Sequence, residues 1–348
     1  MNMPAGFAAA FDARLLACLE EIDRECGLGP TAPELHAALR DFLKRGGKRL
    51  RPWLMLLAYE GYSLRREPAV WNAALALELF HAFALIHDDI LDHSPVRRGG
   101  PAMHAMLDGP RGGGRELAIL AGDVVYSMAV RRFLSSTDDP GRKLSALDEL
   151  TRTAVRTGSG AFAELRARER PLGSLSGEEM LAIYDLKTSL YTFACPLRVG
   201  AILGGAPRPE LERLQEYGLS LGRAFQLRDD LEDLAALLDS PPTADAAGLA
   251  EFKTTLPAWF AWRESGEPDR QRLAQICEGR SADRESLDDL RAILDRSRAL
   301  GLALREMDRL ARSAARTGES LAMSAASRRA LQECADEALQ PALQEAST

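Results

Sequence analysis

The sequence predicts an all-α protein in which long helices form a central bundle within a single domain. Apolar residues recur at helical spacing, as in Leu15, Leu19 and Ile22 near the start of the chain. Runs of alternating, β-branched residues are few, and no dinucleotide-binding fingerprint is found. Glycine and proline cluster in segments too short to link domains, at 94–101, 109–114, 171–177 and 204–209. We therefore expect one domain over residues 1–348, with a core at about 30–340.

Two helix starts are predicted from capping boxes. A threonine or serine followed three residues later by glutamate can satisfy two backbone N–H groups at the first turn of a helix. Thr31 with Glu34 has this spacing, and so does Ser176 with Glu179. Both positions precede segments of helical periodicity.

The amino-acid composition limits the classes to which the protein can belong. The chain has 348 residues, of which 46% are hydrophobic and 27% charged, enough for a sizeable globular core. Its net charge of −7 argues against a general nucleic-acid binder, although local basic clusters could still bind anions. Five scattered cysteines without metal-ligand spacing are typical of reduced thiols in a cytoplasmic protein.

The sequence predicts neither a secretory signal nor a membrane span. The first residues lack a basic region followed by a continuous apolar run. The most apolar stretch, 71–86, is interrupted by Asn72, Glu78 and His81. Because a spanning helix needs about 20 predominantly apolar residues, we expect a soluble protein.

Residues 80–104 carry an unusual density of acidic groups beside a pair of arginines, Arg97 and Arg98. Asp88 and Asp92 share a helix face, while Asp89 lies about 100° around the helix. All three end an apolar helix, where the macrodipole disfavours anions and neighbouring carboxylates raise one another's pKa. Hard oxygen ligands beside arginines indicate Mg²⁺ bridging to a phosphate. The alternative is an acidic helix end that is merely solvated.

A second motif of the same spacing weakens that alternative. Residues 225–233 read FQLRDDLED and supply Asp229, Asp230 and Asp233, again after an apolar-patterned helix. Two copies of one unusual arrangement indicate two facing helices that hold a shared metal cluster.

Basic residues near the first motif suit a phosphorylated ligand. Lys48 and Arg51 lie at i and i+3 on a predicted helix, just after two glycines, so both could face one anion. His81 lies two helical turns before Asp88 and would face the same cavity. For His87 and His93 we expect ordinary roles as satisfied core or surface groups.

Taken together, these motifs make the chain resemble the trans-isoprenyl diphosphate synthases of the polyprenyl synthetase family, most of all a geranylgeranyl diphosphate synthase. The two aspartate-rich motifs match Asp88-Asp89-Ile90-Leu91-Asp92 and Asp229-Asp230-Leu231-Glu232-Asp233. Further matches, in the family's order, are GGKRLRP at 46–52, RRGGPAMH at 97–104 and the pair Lys187-Thr188. The resemblance implies a helical bundle around a substrate cavity, a homodimer, and head-to-tail condensation of isopentenyl diphosphate with an allylic diphosphate. The product would most resemble geranylgeranyl diphosphate.

The same resemblance implies roles for individual residues. It implies three Mg²⁺ ions per active site, held by Asp88, Asp89, Asp92, Asp229, Asp230 and Asp233. It places isopentenyl diphosphate on Lys48, Arg51, His81 and Arg98, and the allylic diphosphate on Arg97 and Lys187. Thr188 and Gln226 would hold oxygens near the developing carbocation.

The resemblance also implies that product length depends on the depth of an apolar tunnel below the first aspartate-rich motif. In the family, bulky residues five and eight positions before the first aspartate form the floor of that tunnel. Here these positions are Phe83 and Phe80, with Ala84 four positions before. One aromatic residue followed by alanine favours geranylgeranyl diphosphate, with farnesyl diphosphate as the alternative.

Three departures from the family pattern keep other interpretations open. The Gly-Lys that usually follows the second motif is missing, since 239–249 contain no lysine or arginine, although Lys253 could compensate in part. The usual Gly-Gln-x-x-Asp ends here in Glu164 and lacks the glutamine. Gly100 and Ala102 replace a larger residue and a threonine. The alternatives are a partner subunit of a heteromeric synthase and a terpene cyclase.

Overall fold

A computed structural model describes residues 3–64, 67–239, 247–278 and 283–338. These residues form helices and one short hairpin, which confirms the all-α prediction. The helices of the first part are α1 Phe7–Cys26, α2 Leu28–Thr31, α3 Pro33–Lys44, α4 Leu50–Tyr62, α5 Val70–Leu91, α6 Met103–Met106, α7 Gly114–Phe133, α8 Pro140–Arg168 and α9 Gly177–Tyr184. A π-helix, Asp185–Ala194, then precedes α10 Cys195–Gly204, α11 Arg208–Leu238, α12 Ala247–Phe252, α13 Leu256–Glu264, α14 Glu267–Glu278, α15 Arg284–Ser297, α16 Ala299–Glu319 and α17 Ala325–Ala338. The hairpin pairs β1 Val96–Arg97 with β2 Gly100–Pro101 in antiparallel register.

The described residues divide into two compact units. The first lies within residues 2–147 and 199–206, and the second within 148–198 and 207–348. The prediction of a single domain stays a prediction.

Helix α5 is the core helix of the first unit. It packs along α7, and its buried residues include Leu77, Leu79 and Phe80. Among the described residues it is the one helix long and apolar enough to cross a membrane, with a mean hydropathy of 1.3. Most of that window is buried inside the protein, as in the central helix of a globular unit.

One of the two predicted capping boxes is wrong. Thr31 ends the separate helix α2, and the N-cap position of α3 is occupied by Ala32. Helix α3 instead begins with Pro33 after Ala32, without a side-chain cap. The box at Ser176 and Glu179 is confirmed, because each side chain accepts a hydrogen bond from the other's backbone N–H.

The second unit is built around α11, which packs against the π-helix and α16. Glycines allow the close approach to the π-helix. A Cβ atom added at Gly222 would lie 2.4 Å from Ser189 Cα, and one at Gly218 would lie 2.6 Å from Ala194 Cα. Backbone atoms cannot move aside as a flexible side chain could, so both positions require glycine.

We expect Gly222→Ala to lower the free energy of unfolding by about 2 kcal/mol or more, because the new methyl group overlaps the π-helix backbone. Chemical denaturation measured by circular dichroism checks this. Gly158→Ala is the matched control, since this exposed helical glycine has no neighbour within 4 Å of an added Cβ. It should raise stability by about 0.5–1 kcal/mol. Equal effects of the two substitutions would contradict the close approach.

Candidate active site

The first aspartate-rich motif ends α5 and divides its carboxylates into an inner one and two outer ones. Asp89 is fully buried, and Arg97 Nε donates to its Oδ1 over 2.7 Å. Asp88 is half-buried and Asp92 is exposed at the C-cap, where its N–H donates to the Asp88 carbonyl. The outer pair is one helical turn apart and offers hard oxygen donors, which fits Mg²⁺ rather than a soft metal. The inner carboxylate is held by the guanidinium of Arg97.

The hairpin after this motif positions the arginine pair. Arg97 lies on β1, and Arg98 adopts a left-handed backbone conformation in the turn, with φ of 49°. Arg98 Nη1 donates to the Gly46 carbonyl. Burial is the largest cause that lowers the pKa of Arg98, with Glu78 acting in the opposite direction. The side chain is 22% exposed and keeps its charge at neutral pH.

The structure explains why Gly100 departs from the family pattern. Arg45 lies against this glycine, and an added Cβ would be 2.5 Å from Arg45 Cζ. Arg45 Nη1 donates to the Pro101 carbonyl at 2.6 Å and to the Arg97 carbonyl at 3.2 Å. Arg45 therefore occupies the space that a larger residue would fill and supports the hairpin.

The predicted helix face shared by Lys48 and Arg51 is wrong. Helix α4 begins only at Leu50, and the preceding residues have positive φ angles: 72° at Gly46, 153° at Gly47 and 47° at Arg49. Lys48 therefore lies in an irregular segment, where it is exposed, while Arg51 lies in the first helical turn. Two adjacent glycines favoured this outcome over a continuous helix.

His81 faces four positive charges. Burial first, and then Arg51, Arg98, Arg49 and Arg97, lower the pKa of His81 well below its usual value. The imidazole is therefore neutral near pH 7 and can donate one hydrogen bond and accept another. We call Arg49, Arg51, Arg97 and Arg98 the arginine cluster.

The two phenylalanines predicted to limit product length belong to a larger aromatic group. Phe80 is buried and its ring centroid lies 5.6 Å from that of Phe83. Tyr126 of α7 packs against both rings, at 6.1 and 5.2 Å, and His87 lies edge-on to Phe83 at 4.7 Å. Sequence reasoning missed Tyr126, because only the pairing of α5 with α7 brings it there. Ala84 is half-buried beside them on α5.

The second aspartate-rich motif repeats the division into inner and outer carboxylates. Asp230 is 8% exposed; Tyr184 Oη donates to its Oδ2 and Gln226 Nε2 donates to its Oδ1 at 2.8 Å. Burial raises the pKa of Asp230 to about 7. Asp229 is half-buried and Asp233 is exposed. The expectation that this motif follows a helix is wrong, because it lies inside α11, which continues to Leu238.

Lys187 and Thr188 lie on the π-helix, a form that is rare and often marks functional sites. Thr188 Oγ1 donates to Gln226 Oε1, so Thr188, Gln226 and Asp230 form one hydrogen-bonded chain. Lys187 Nζ donates to both oxygens of Glu164, at 2.9 and 2.8 Å. The sequence marked this lysine and threonine only through the family resemblance, since helical periodicity does not reveal a π-helix.

Glu164 retains a structural partner despite its departure from the family's aspartate. Burial raises its pKa, but Lys187 and Arg168 outweigh that effect, so the pKa lies below the ordinary value. Gly160, one turn earlier, allows α8 to approach the π-helix, because a Cβ there would lie 2.5 Å from Leu186 Cβ. The longer acid thus reaches the lysine directly.

Lys253 is held inside the second unit. It is 8% exposed, and its Nζ donates to the Arg168 carbonyl at 3.1 Å. The lysine-free segment 239–249 lies largely outside the described residues, since 240–246 are not among them. Compensation of the missing lysine by Lys253 stays a prediction.

Other clusters of titratable groups have structural partners. His87 Nε2 lies 3.3 Å from the Ile119 carbonyl, and His93 Nδ1 lies 3.0 Å from Arg115 Nη2, as expected of satisfied groups. His36 lies 3.9 Å from both Glu20 and Asp23. Arg40 already pairs with Glu20, and the Gly29 N–H donates to Asp23.

The chain is similar to several isoprenyl diphosphate synthases. The chain is 38% identical over 225 residues to a geranylgeranyl diphosphate synthase of Methanosarcina mazei, a match that covers 64% of this chain and 66% of that protein. It is 32% identical over 323 residues to a nonaprenyl diphosphate synthase of Mycobacterium tuberculosis, covering 92% and 89%. A crystal structure of a geranylgeranyl pyrophosphate synthase matches with a TM-score of 0.83 at 26% identity, covering 98% of this chain and 99% of that one.

A model of the family described as polyprenyl synthetase matches residues 32–294, which include both aspartate-rich motifs, the arginine cluster and the π-helix. With the all-α fold, this match shows that the chain belongs to the polyprenyl synthetase family.

Proposed function

We propose that the protein condenses isopentenyl diphosphate head to tail with an allylic diphosphate, in a magnesium-dependent reaction that releases diphosphate. The observation that carries this proposal is the difference in burial between the inner and outer carboxylates of the two aspartate-rich motifs. In each motif the inner carboxylate is buried against hydrogen-bond donors of the protein, while the outer carboxylates are half-buried or exposed and Asp229 lies 3.7 Å from Arg228 Nη2. Such an arrangement suits ions that are shared with substrate oxygens.

The outer carboxylates Asp88, Asp92, Asp229 and Asp233 are the metal ligands of this proposal, with three Mg²⁺ ions per active site. Asp89 and Asp230 act as their inner supports. When bound, Mg²⁺ stabilises the allylic diphosphate as a leaving group. A relative from Caulobacter crescentus is described as complexed with calcium and isoprenyl diphosphate, which supports a divalent metal.

Fixed cations bind the two diphosphates. Lys48, Arg51, Arg98 and neutral His81 take isopentenyl diphosphate, because guanidinium forks match diphosphate oxygens and a neutral imidazole adds a hydrogen bond without charge. Arg97 and Lys187 take the allylic diphosphate. Both already pair with a carboxylate, so their charged groups are oriented before substrate binds.

Thr188 and Gln226 stabilise the carbocation in this proposal. After the C–O bond of the allylic substrate breaks, the hydroxyl of Thr188 and the amide oxygen of Gln226 place partial negative charge near the cation. The double bond of isopentenyl diphosphate attacks, and a proton is lost to the departed diphosphate. No side-chain nucleophile is needed in this sequence of steps.

The product we propose is geranylgeranyl diphosphate, with farnesyl diphosphate as the alternative. Buried Phe80, half-buried Phe83 and Tyr126 form the floor that would stop chain growth. Relatives carry names that range from farnesyl to nonaprenyl diphosphate synthase. We further propose that the enzyme is a cytoplasmic homodimer, as is usual in the family.

One observation favours a second candidate, a partner subunit that modulates another synthase. Lys253 is turned to the Arg168 carbonyl, and the segment 239–249 offers no lysine or arginine to replace the family's loop lysine. Turnover by the purified chain separates these two candidates.

Purified protein with Mg²⁺, isopentenyl diphosphate and each of dimethylallyl, geranyl and farnesyl diphosphate should yield a twenty-carbon product after dephosphorylation. Removal of the metal with EDTA should abolish turnover, because the outer aspartates then lack the cations that stabilise the leaving group. A fifteen-carbon product would confirm the synthase activity and identify farnesyl diphosphate as the product. Absence of elongation by folded, metal-binding protein would select the partner subunit.

Phe83→Ala should shift products to longer chains, because it removes one ring of the aromatic floor while Phe80 and Tyr126 remain. Chain lengths are read by chromatography of the dephosphorylated products. Phe7→Ala is the matched control, since Phe7 is also half-buried in an aromatic group, with Phe11 and Trp71. An unchanged product distribution in Phe83→Ala would remove Phe83 from the floor.

Lys187→Met should raise the KM for the allylic diphosphate by about 10–100-fold, the effect of losing one charge-assisted hydrogen bond, with little change in the KM for isopentenyl diphosphate. Steady-state kinetics with each substrate varied in turn measures both constants. Arg168→Met is the control, because Arg168 also pairs with Glu164 yet has no proposed substrate contact. Equal effects of the two variants would show that Lys187 acts only through Glu164.

A further inference from the structure

A buried carboxylate lies beside the arginine cluster and has no role in the reaction proposed above. Glu78, on α5, is 2% exposed, and Arg49 Nη1 donates to its Oε1. Arg98 Nη2 lies 4.0 Å from the same oxygen. Glu78 is thus a shared counter-ion of two cluster members, one helical turn before His81.

The two arginines that face Glu78 have left-handed backbones. Their φ angles are 47° at Arg49 and 49° at Arg98, a region that residues with a Cβ atom seldom adopt. Side-chain contacts hold them there. Arg49 Nε donates to Asp12 at 2.7 Å and its Nη2 donates to the Leu43 carbonyl at 3.2 Å, while Arg98 donates to the Gly46 carbonyl.

These contacts decide where the substrate-facing cations lie. Arg49 stands between Lys48 and Arg51 in the chain, so fixing its buried guanidinium fixes the segment that carries both. The fit is close, because a Cβ atom at Gly47 would lie 2.9 Å from Arg98 Cζ. Glu78 therefore ties the segment before α4 and the hairpin turn to one point on the core helix.

Electrostatics alone argues against a carboxylate here. A negative charge among arginines weakens the positive potential that attracts a diphosphate, and Asp12 and Asp89 weaken it further. A buried carboxylate beside an anion site is useful only if the orientation it imposes outweighs the loss of potential. The two effects predict opposite changes in affinity when the charge of Glu78 is removed.

We propose that Glu78 is a positioning residue of the isopentenyl diphosphate site, which acts through Arg49 and Arg98 to hold Lys48, Arg51 and Arg98 in their binding geometry. The proposal deepens the proposed function and rests on it. Glu78 itself does not contact the substrate.

Glu78→Gln should raise the KM for isopentenyl diphosphate about 10-fold, the scale of one charge-assisted contact, and change the KM for the allylic diphosphate less than about 2-fold. Glu210→Gln is the matched control, because Glu210 is also 2% exposed and paired with an arginine, Arg213, in the other unit. It should leave both constants unchanged.

A double variant tests whether Glu78 acts through Arg49. Adding Glu78→Gln to Arg49→Gln should raise the KM for isopentenyl diphosphate by less than Glu78→Gln does in the wild type, because only the contact with Arg98 then remains to be lost. Additive effects of the two substitutions would overturn an action through Arg49. The double variant leaves no unpaired buried charge at this pair. It can therefore still be measured if a single variant does not fold.

Binding measured by calorimetry in EDTA separates this proposal from the reaction itself. Wild-type protein should bind isopentenyl diphosphate about 10-fold more tightly than Glu78→Gln, even if neither protein elongates any primer. If neither protein elongates a primer but the difference in affinity remains, the proposed reaction is overturned and the positioning role is retained. An unchanged or tighter affinity in Glu78→Gln, or equal rises in both KM values, would overturn the positioning role.

Discussion

Charge inside an apolar helix is the constraint on which the rest of the first unit depends. Helix α5 is the most apolar helix of the described residues, yet it buries Glu78 and Asp89. A buried carboxylate is costly unless a cation and hydrogen bonds satisfy it. Arg49 pairs with Glu78 and Arg97 pairs with Asp89, which holds the segment before α4 and the hairpin against α5.

The second unit meets the same constraint with neutral partners. Asp230 is held by a tyrosine hydroxyl and a glutamine amide instead of an arginine. Burial raises its pKa to about 7 although Lys187 acts in the opposite direction, whereas Asp89 has a guanidinium in direct contact. The two motifs share a spacing but differ in the charge of their inner supports. The second inner carboxylate therefore takes up a proton far more readily than an ordinary aspartate.

Much of this arrangement could be predicted from the sequence, for reasons that are local. The all-α fold followed from apolar spacing, and the capping box at Ser176 followed from two residues three apart. The position of Asp88 and Asp92 at a helix end followed from the apolar run before them. Each of these features depends on residues within one or two turns of chain.

The features that could not be predicted depend on distant partners or on rare backbone forms. Gly46 and Gly47 signalled a break in the helix before Lys48, but the left-handed backbone of Arg49 depends on its distant partner Glu78 and could not be predicted. Residues 189–194 of the π-helix are all buried, so this stretch has no exposed face from which a helical period could be identified. Lys253 resembles a family signature, and only the fold shows that it donates to the Arg168 carbonyl.

The contact between Arg45 and Gly100 has an evolutionary consequence. The guanidinium occupies the volume in which any side chain at position 100 would lie. A larger residue at position 100 and an arginine at position 45 therefore exclude one another in this conformation. A lineage that acquires a larger residue at position 100 while keeping Arg45 must therefore move the guanidinium away from the Pro101 and Arg97 carbonyls that it now contacts.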